Sequence, residues 1–243
     1  MRSVSRSSAP EFLSKYTRWE DLDGSERQLI RDELVKDFGT ICAYCQQPCV
    51  GPTTQQRPDE ESVDHFRPRL HFPTFCLDWE NLVFACRRCN QVKGDNWPSF
   101  GDGWVNQVLS AGDGRYVAVT EYVSPNVRDG QRPAEQFFSF DAATGEISPS
   151  DELENVDWSM ALRTIRDIDL NDYDSGLGEN DESHLWNRRL GQRALVIERI
   201  NQLDDFHAQV NMMLEFLLPD KPFSGFVRAY VNERFPLLRQ VVQ

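Results

Sequence analysis

Four cysteines in two identical frames constrain this chain more than any other feature: Cys42-Ala-Tyr-Cys45 and Cys86-Arg-Arg-Cys89. With two residues between thiols, one tight turn aims both sulfurs at one point. Two such pairs complete a tetrahedral thiolate site of the kind that zinc prefers. The competing reading is of redox-active or merely buried thiols. About forty residues separate the frames, with little apolar content to hold a hairpin and a helix together. A structural zinc can supply folding energy on the order of 10–16 kcal/mol in small modules. Four thiolates leave no open position, so this ion is expected to pin the scaffold and to do no chemistry. Cys49 and Cys76 lie outside the frames; they read as ordinary buried or half-buried thiols, either of them available as a spare ligand.

A chain of 243 residues can bury a real core as one large domain or two modest ones. Forty per cent hydrophobic residues and six Trp mark a folded protein. No apolar run approaches the ~20 residues that cross a bilayer, and Met1 to Pro10 lacks the apolar stretch of a signal peptide. A cytoplasmic protein is expected, with its six Cys as thiols in a reducing compartment. The net charge of −13 works against a surface that grips nucleic acid everywhere, because such affinity comes largely from neutralised phosphates. Acidity also serves plain solubility. Positive charge gathers around the second Cys frame, at Arg67, Arg69, Arg87, Arg88 and Lys93. Nucleic-acid binding by this chain alone is expected to be weak and salt-sensitive, with help from another subunit.

Residues 1–20 carry Arg2, Arg6, Lys15 and Arg18 and read as an arm, packed along the body or loosely ordered. Asp23 to Phe38 reads as a helix capped by Asp23 or Ser25, with Leu29, Ile30, Leu34, Val35 and Phe38 as its apolar stripe and Gly39 as its stop. A polar insert between Cys49 and Glu61 reads as an exposed loop. Ser62 to Arg67 is short and β-like, Leu82 to Ala85 is an apolar run, and Cys89 to Lys93 begins a helix that Gly94 stops. Further on, Arg115 to Val123 suits a strand, and Phe137–Phe140 with Glu146-Ile147 suits a hairpin. Trp158 to Ile168 reads as a helix, Asp172 to Ser183 as a flexible loop, and Leu185 to Leu218 as one long helical segment. The stripe in that last segment (Leu195, Val196, Ile200, Leu203, Phe206, Val210, Met213, Leu214, Leu217) favours core packing over a dedicated partner face.

Between and beside the Cys frames stand Val63-Asp64-His65, Trp79-Glu80-Asn81-Leu82 and Cys89-Asn90-Gln-Val-Lys93-Gly94. This order resembles the HNH endonucleases, whose motif opens on Asp-His, continues with Asn-Leu in a loop, and closes with a third polar residue on a short helix followed by Lys. Here the third position is Asn90 in place of His. The Cys-x-x-Cys-Asn order is also similar to a phage junction-resolving relative, in which an Asn directly after the second zinc pair binds the catalytic metal. The resemblance implies an α+β chain with a ββα-metal (His-Me finger) core, its structural zinc, and a mainly α-helical C-terminal region. The expected organisation is an N-terminal arm and helix at 1–39, the HNH core at 40–97, and a hairpin with helices at 98–243 that docks a partner.

Phosphodiester hydrolysis requires an activated water, charge neutralisation on the phosphate and a stabilised leaving oxygen. His65 is the side chain whose ordinary pKa suits a base near neutrality. Asp64 and Asn90 offer hard oxygen donors suited to Mg²⁺ or Mn²⁺. By the resemblance, Asn81 fixes the loop and orients His65 through hydrogen bonds. Arg67, Arg69, Arg87, Arg88 and Lys93 are candidate nucleic-acid contacts. His71 reads as a packing or phosphate-contacting residue, and His184 and His207 receive no role. A binding-only zinc module is the rival reading, but it gives no reason to keep Asp64, His65 and Asn90 together.

The opening Met-Arg-Ser-Val-Ser-Arg-Ser-Ser-Ala-Pro, the Asp64-His65-Phe66-Arg67-Pro68 run, Asp78-Trp79-Glu80-Asn81-Leu82, and Thr164-Ile165 followed by Leu170-Asn171 look like one group. That group is the HNH nucleases of Septu-type and retron-associated anti-phage systems, the PtuB group. The resemblance implies DNA as substrate and an ATPase of the ABC/SMC-like kind, PtuA, as partner. Such a partner would supply the positive charge that this chain lacks and would dock on its helical C-terminal half.

Overall fold

The computed structural model describes residues 1, 3–49, 61–98, 117–119, 121–126, 131–172, 185–218 and 221–234. The polar insert after Cys49, most of the loop expected at Asp172 to Ser183, and His184 lie outside these residues.

Helix α1 (Gly24–Phe38) starts where its cap dictates. The Asp23 carboxylate accepts from the Glu26 amide, and the Glu26 side chain returns the favour to the Asp23 amide. It ends on Gly39 in the left-handed region at φ 62°, a conformation that costs glycine little. Ile30, Leu34 and Phe38 are buried, whereas Leu29 is half exposed; the buried stripe is narrower than the spacing suggested on the Leu29 side.

Strands β1 (Glu61–His65) and β2 (Leu82–Cys86) pair antiparallel, with Asp64 opposite Val83 and His65 opposite Leu82. Helix α2 (Arg87–Lys93) follows at once and packs on both strands, while α1 covers β2 from elsewhere. All five residues of β2 are buried, which is why its sequence is a continuous apolar run and not an alternation. The loop joining the strands folds through two short 3-10 turns, Pro73–Phe75 and Trp79–Asn81.

The N-terminal arm is packed, not loose. Arg6 is sunk between Phe38 and Trp79, with its guanidinium carbon 5.1 and 4.6 Å from the ring centroids. It donates to the carbonyls of Trp79 and Leu82 and pairs with Asp37 at 3.0 Å. One arginine thereby ties the arm, α1 and the start of β2 together.

The expected strand over Arg115 to Val123 does not form among the described residues. The Val117 and Val123 amides instead donate to the Ser159 and Thr164 hydroxyls of helix α3 (Asn155–Asp167). A side-chain acceptor on a helix has taken the place of a neighbouring strand. The hairpin does form, as β3 (Phe138–Phe140) and β4 (Ile147–Pro149). The long C-terminal segment is two helices, α4 (Leu185–Asn201) and α5 (Phe206–Phe216). Asp205 breaks it by capping α5, accepting from the Ala208 amide at 2.7 Å. A further helix, α6 (Ser224–Arg234), follows. Val196, Ile200, Met213, Phe216, Leu217, Val227 and Val231 form a small core among these three helices. The larger core draws on residues from Met1 to Leu185. No helix of the described residues is long and apolar enough to cross a membrane.

Candidate active site

The two Cys frames meet because both are tied to β2, the first by a backbone hydrogen bond along the strand and the second by its place at the strand's end. The first is a turn between Thr40 and Cys49, closed by the Cys42 amide on the Gln47 carbonyl and anchored to β2 by the Ala43 amide on the Phe84 carbonyl, 2.9 Å. The second opens α2: Cys86 is its cap, and its sulfur accepts from the Cys89 amide at 3.4 Å. All four cysteines are buried, and their ligand atoms lie within 4.8 Å of one another, Cys45 and Cys86 at 3.8 Å. Zn–S bonds of ~2.3 Å in a tetrahedron place sulfurs ~3.8 Å apart, so the donor set fits zinc. Burial pushes the Cys45 thiol well above its ordinary value, and the Cys42 and Cys86 sulfurs push it further. Four buried thiolates need a cation to stay ionised together. Among the described residues, neither Cys49 nor Cys76 joins this cluster; the Cys76 thiol donates to the Thr17 carbonyl.

Next to the knuckle is a cavity of about 210 Å³, lined by Asp64, His65 and Asn90 together with Trp19, Arg69 and Asp95. Strand alternation would place Asp64 and His65 on opposite faces. Both reach the cavity because they end β1, where the chain turns into the loop.

His65 is nearly buried, edge-on to Trp19 with ring centroids 4.8 Å apart. Its Nε2 lies 2.9 Å from the Cys76 carbonyl. A carbonyl can only accept, so Nε2 carries the proton and Nδ1 keeps its lone pair. Among the described residues Nδ1 has no hydrogen-bond partner. Burial pushes the imidazole down to about 4, against the pull of Asp64. The ring is therefore neutral, and able to accept a proton, throughout the neutral range.

Asp64 is buried, with Oδ2 accepting from the Tyr44 hydroxyl at 2.5 Å and both oxygens 3.1 Å from the Lys93 ammonium. Asn90 donates through Nδ2 to the Ser62 hydroxyl at 2.9 Å, which points its carbonyl oxygen away from that contact. An Asp and an Asn oxygen beside a neutral imidazole suit a hard divalent cation.

Asn81 closes the loop that carries these groups. Its Oδ1 accepts from the Arg67 amide at 2.7 Å, and its Nδ2 donates to the Arg67 and Phe75 carbonyls.

Comparison with known proteins agrees with this geometry. Residues 42–96 match the model of the HNH endonuclease family. These residues are an HNH endonuclease domain. The chain is also similar to the Septu protein PtuB of Bacillus thuringiensis, 40% identical over 69 residues. That stretch is 27% of this chain and 23% of the relative, so the chain spans about a quarter of the curated relative that it matches.

Within the HNH domain several side chains sit elsewhere than the sequence led one to expect. Lys93, expected to touch phosphate, is wholly buried, donating to Asp64 and to the His65 carbonyl at 2.9 Å. Asn81 makes no hydrogen bond to the His65 ring; the Cys76 carbonyl, at the other end of the same loop, holds it. Arg88 reaches away from the cavity to Asp169 and Asp172 at the end of α3. Arg67 pairs with Glu121 at 3.5 Å and lies over the Phe75 ring, and Arg69 pairs with Glu20. Arg87 is exposed at the start of α2. The His71 ring donates through Nε2 to the Asp95 carbonyl at 3.1 Å, and His207 lies at the start of α5, far along the chain from the cavity residues.

Tyr44 and Trp19 were missed by reasoning from sequence. Tyr44 lies between Cys42 and Cys45, where spacing alone marks only the cysteines. Trp19 comes from the arm, some forty-six positions before His65. No periodicity or motif links residues that far apart.

Proposed function

We propose that this chain is a divalent-metal-dependent endonuclease that hydrolyses DNA phosphodiester bonds, acting in the cytoplasm as the nuclease subunit of an anti-phage system. The observation that carries the proposal is the His65 ring, held at Nε2 by a carbonyl in a cavity shared with Asp64 and Asn90. His65 Nδ1 takes a proton from water as the water oxygen bonds to phosphorus and the bond to the departing 3′ oxygen breaks. Asp64 and Asn90 would hold Mg²⁺ or Mn²⁺, which would supply charge neutralisation for the reaction when bound. Zinc on Cys42, Cys45, Cys86 and Cys89 holds the scaffold. Arg67, Arg69 and Arg87 contact phosphates, Arg67 and Arg69 by exchanging their carboxylate partners for phosphate.

The similarity to PtuB supports a partner of the PtuA ATPase type. A chain of net charge −13 gains most from a subunit that binds DNA and presents it. In this reading residues 1–39 brace the nuclease core at 40–97, and the helices within 98–243 dock the ATPase.

Plasmid incubated with the purified chain and Mg²⁺ or Mn²⁺, with and without such an ATPase, tests the proposal. Nicking that disappears in His65→Ala and strengthens with the ATPase is the expected result. Nicking that persists in His65→Ala removes its assigned base. No nicking under any condition favours a binding-only zinc module.

A further inference from the structure

The zinc knuckle does more than hold the scaffold, because it delivers a side chain to the catalytic carboxylate. An ionised carboxylate offers roughly four lone-pair sites. At Asp64 the Tyr44 hydroxyl and the Lys93 ammonium both approach Oδ2, at 2.5 and 3.1 Å, and Lys93 also approaches Oδ1 at 3.1 Å. One site on Oδ1 is left for the cavity. Lys93 and Asp64 are a buried pair of opposite charges, with side chains 1% and 5% exposed. Asn90 adds no charge, so the Lys93 ammonium offsets the one carboxylate assigned to the cation.

We propose that Tyr44 and Lys93 are positioning residues that hold Asp64 as a one-point, charge-compensated ligand. This rests on the reading of Asp64 as a ligand of the catalytic cation. Two consequences follow from the geometry. Tyr44 sets the rotation of the carboxylate from the knuckle side, so the zinc turn and the cation share one hydrogen bond. Lys93 keeps the free protein's affinity for a dication low until a phosphate brings negative charge into the cavity, which makes cation and nucleic acid bind cooperatively.

The test is Mn²⁺ binding to the full chain, followed by electron paramagnetic resonance of the free ion, with zinc content and thermal melting measured on the same samples. The wild type is compared with Tyr44→Phe, Lys93→Met and Asp64→Asn. Tyr44→Phe, which keeps the ring, is expected to retain its zinc and bind Mn²⁺ about tenfold more weakly, the usual size of a lost partner behind a ligand. Lys93→Met leaves a buried carboxylate without its counter-charge. It is expected to bind Mn²⁺ more tightly without DNA, by a similar factor, and to lose the tightening that a non-cleavable oligonucleotide produces in the wild type. A protein part that merely filled space would not shift the two variants in opposite directions. Unchanged Mn²⁺ affinity in both variants, with zinc retained, overturns the positioning roles while leaving Asp64 as a ligand. Asp64→Asn that binds Mn²⁺ like the wild type overturns the ligand assignment beneath them.

Discussion

His65 illustrates how burial sets chemistry at a single residue. Its ordinary pKa of 6.5 falls to about 4 because the charged ring would lose its water. The folded state therefore binds fewer protons than the unfolded chain between those values. Stability is full above about pH 6.5 and is lost as pH falls toward about 4. The contribution is on the order of 3 kcal/mol. Urea titrations of wild type and His65→Gln across this window should show the wild type losing more stability, and equal losses would refute the buried, neutral ring. Asn81 is the other residue whose loss is legible. Removing its amide takes the side-chain partner from the Arg67 amide and the Arg67 carbonyl in a half-buried loop, while the Phe75 carbonyl keeps the Asp78 amide. Asn81→Ala is expected to cost about 3 kcal/mol and to reduce nicking, since the Cys76 carbonyl that holds His65 lies on the same loop. Chemical denaturation monitored by tryptophan fluorescence measures the first effect.

Among the elements, the short turn at Trp19–Asp21 contacts the cavity residues most directly. Its Trp19 covers His65, its Glu20 pairs with Arg69 at the cavity rim, and Arg27 of α1 donates back to the Trp19 carbonyl. On the proposed function, a nucleic acid entering the cavity would compete with Glu20 for Arg69. Exposed pairs of this kind are worth up to about 1 kcal/mol. Glu20→Gln should therefore tighten DNA binding by at most about fivefold and steepen the salt dependence by about one phosphate contact. Fluorescence anisotropy at several salt concentrations measures both, and an unchanged slope would mean that Arg69 does not reach phosphate. The same elements show where local reading failed. Leu29 continued the apolar spacing of α1 yet is half exposed, while the adjacent Ile30 points into the core. Leu185 to Leu218 kept one apolar period across a break, and Asp205, a good cap inside that run, was the signal that was passed over.

At the scale of the molecule, the zinc knuckle is where distant parts of the chain converge. Gln46, at the end of the first frame, accepts from the Phe223 amide through its carbonyl and from the Gly225 amide through Oε1, both at 3.1 Å. The start of α6 is thereby docked on the knuckle. Arg189 of α4 is wholly buried, donates to the Gly145 and Leu170 carbonyls, and sends its charge toward Cys45 and Cys89. Chelating the zinc should thus disturb the helices as well as the nuclease core. The expected result is a single loss of ellipticity that tracks zinc release. Cys86→Ser should lose the ion, while Cys49→Ser and Cys76→Ser should keep it. Zinc released with helix content and melting unchanged would show that the cluster holds nothing together.

By itself the sequence determined the paired Cys frames, the ββα order and the HNH motif residues, since these are carried by spacing and residue type within short stretches. Cys42, Cys45, Cys86, Cys89, Asp64, His65 and Asn90 were legible for that reason. Tertiary structure alone decided what each polar group touches. Lys93 turned inward to a buried carboxylate, Tyr44 reached Asp64 from between two cysteines, and His65 found its carbonyl at Cys76. Those choices depend on which desolvated charge or donor finds a partner across the fold, and a linear pattern holds no record of such distances.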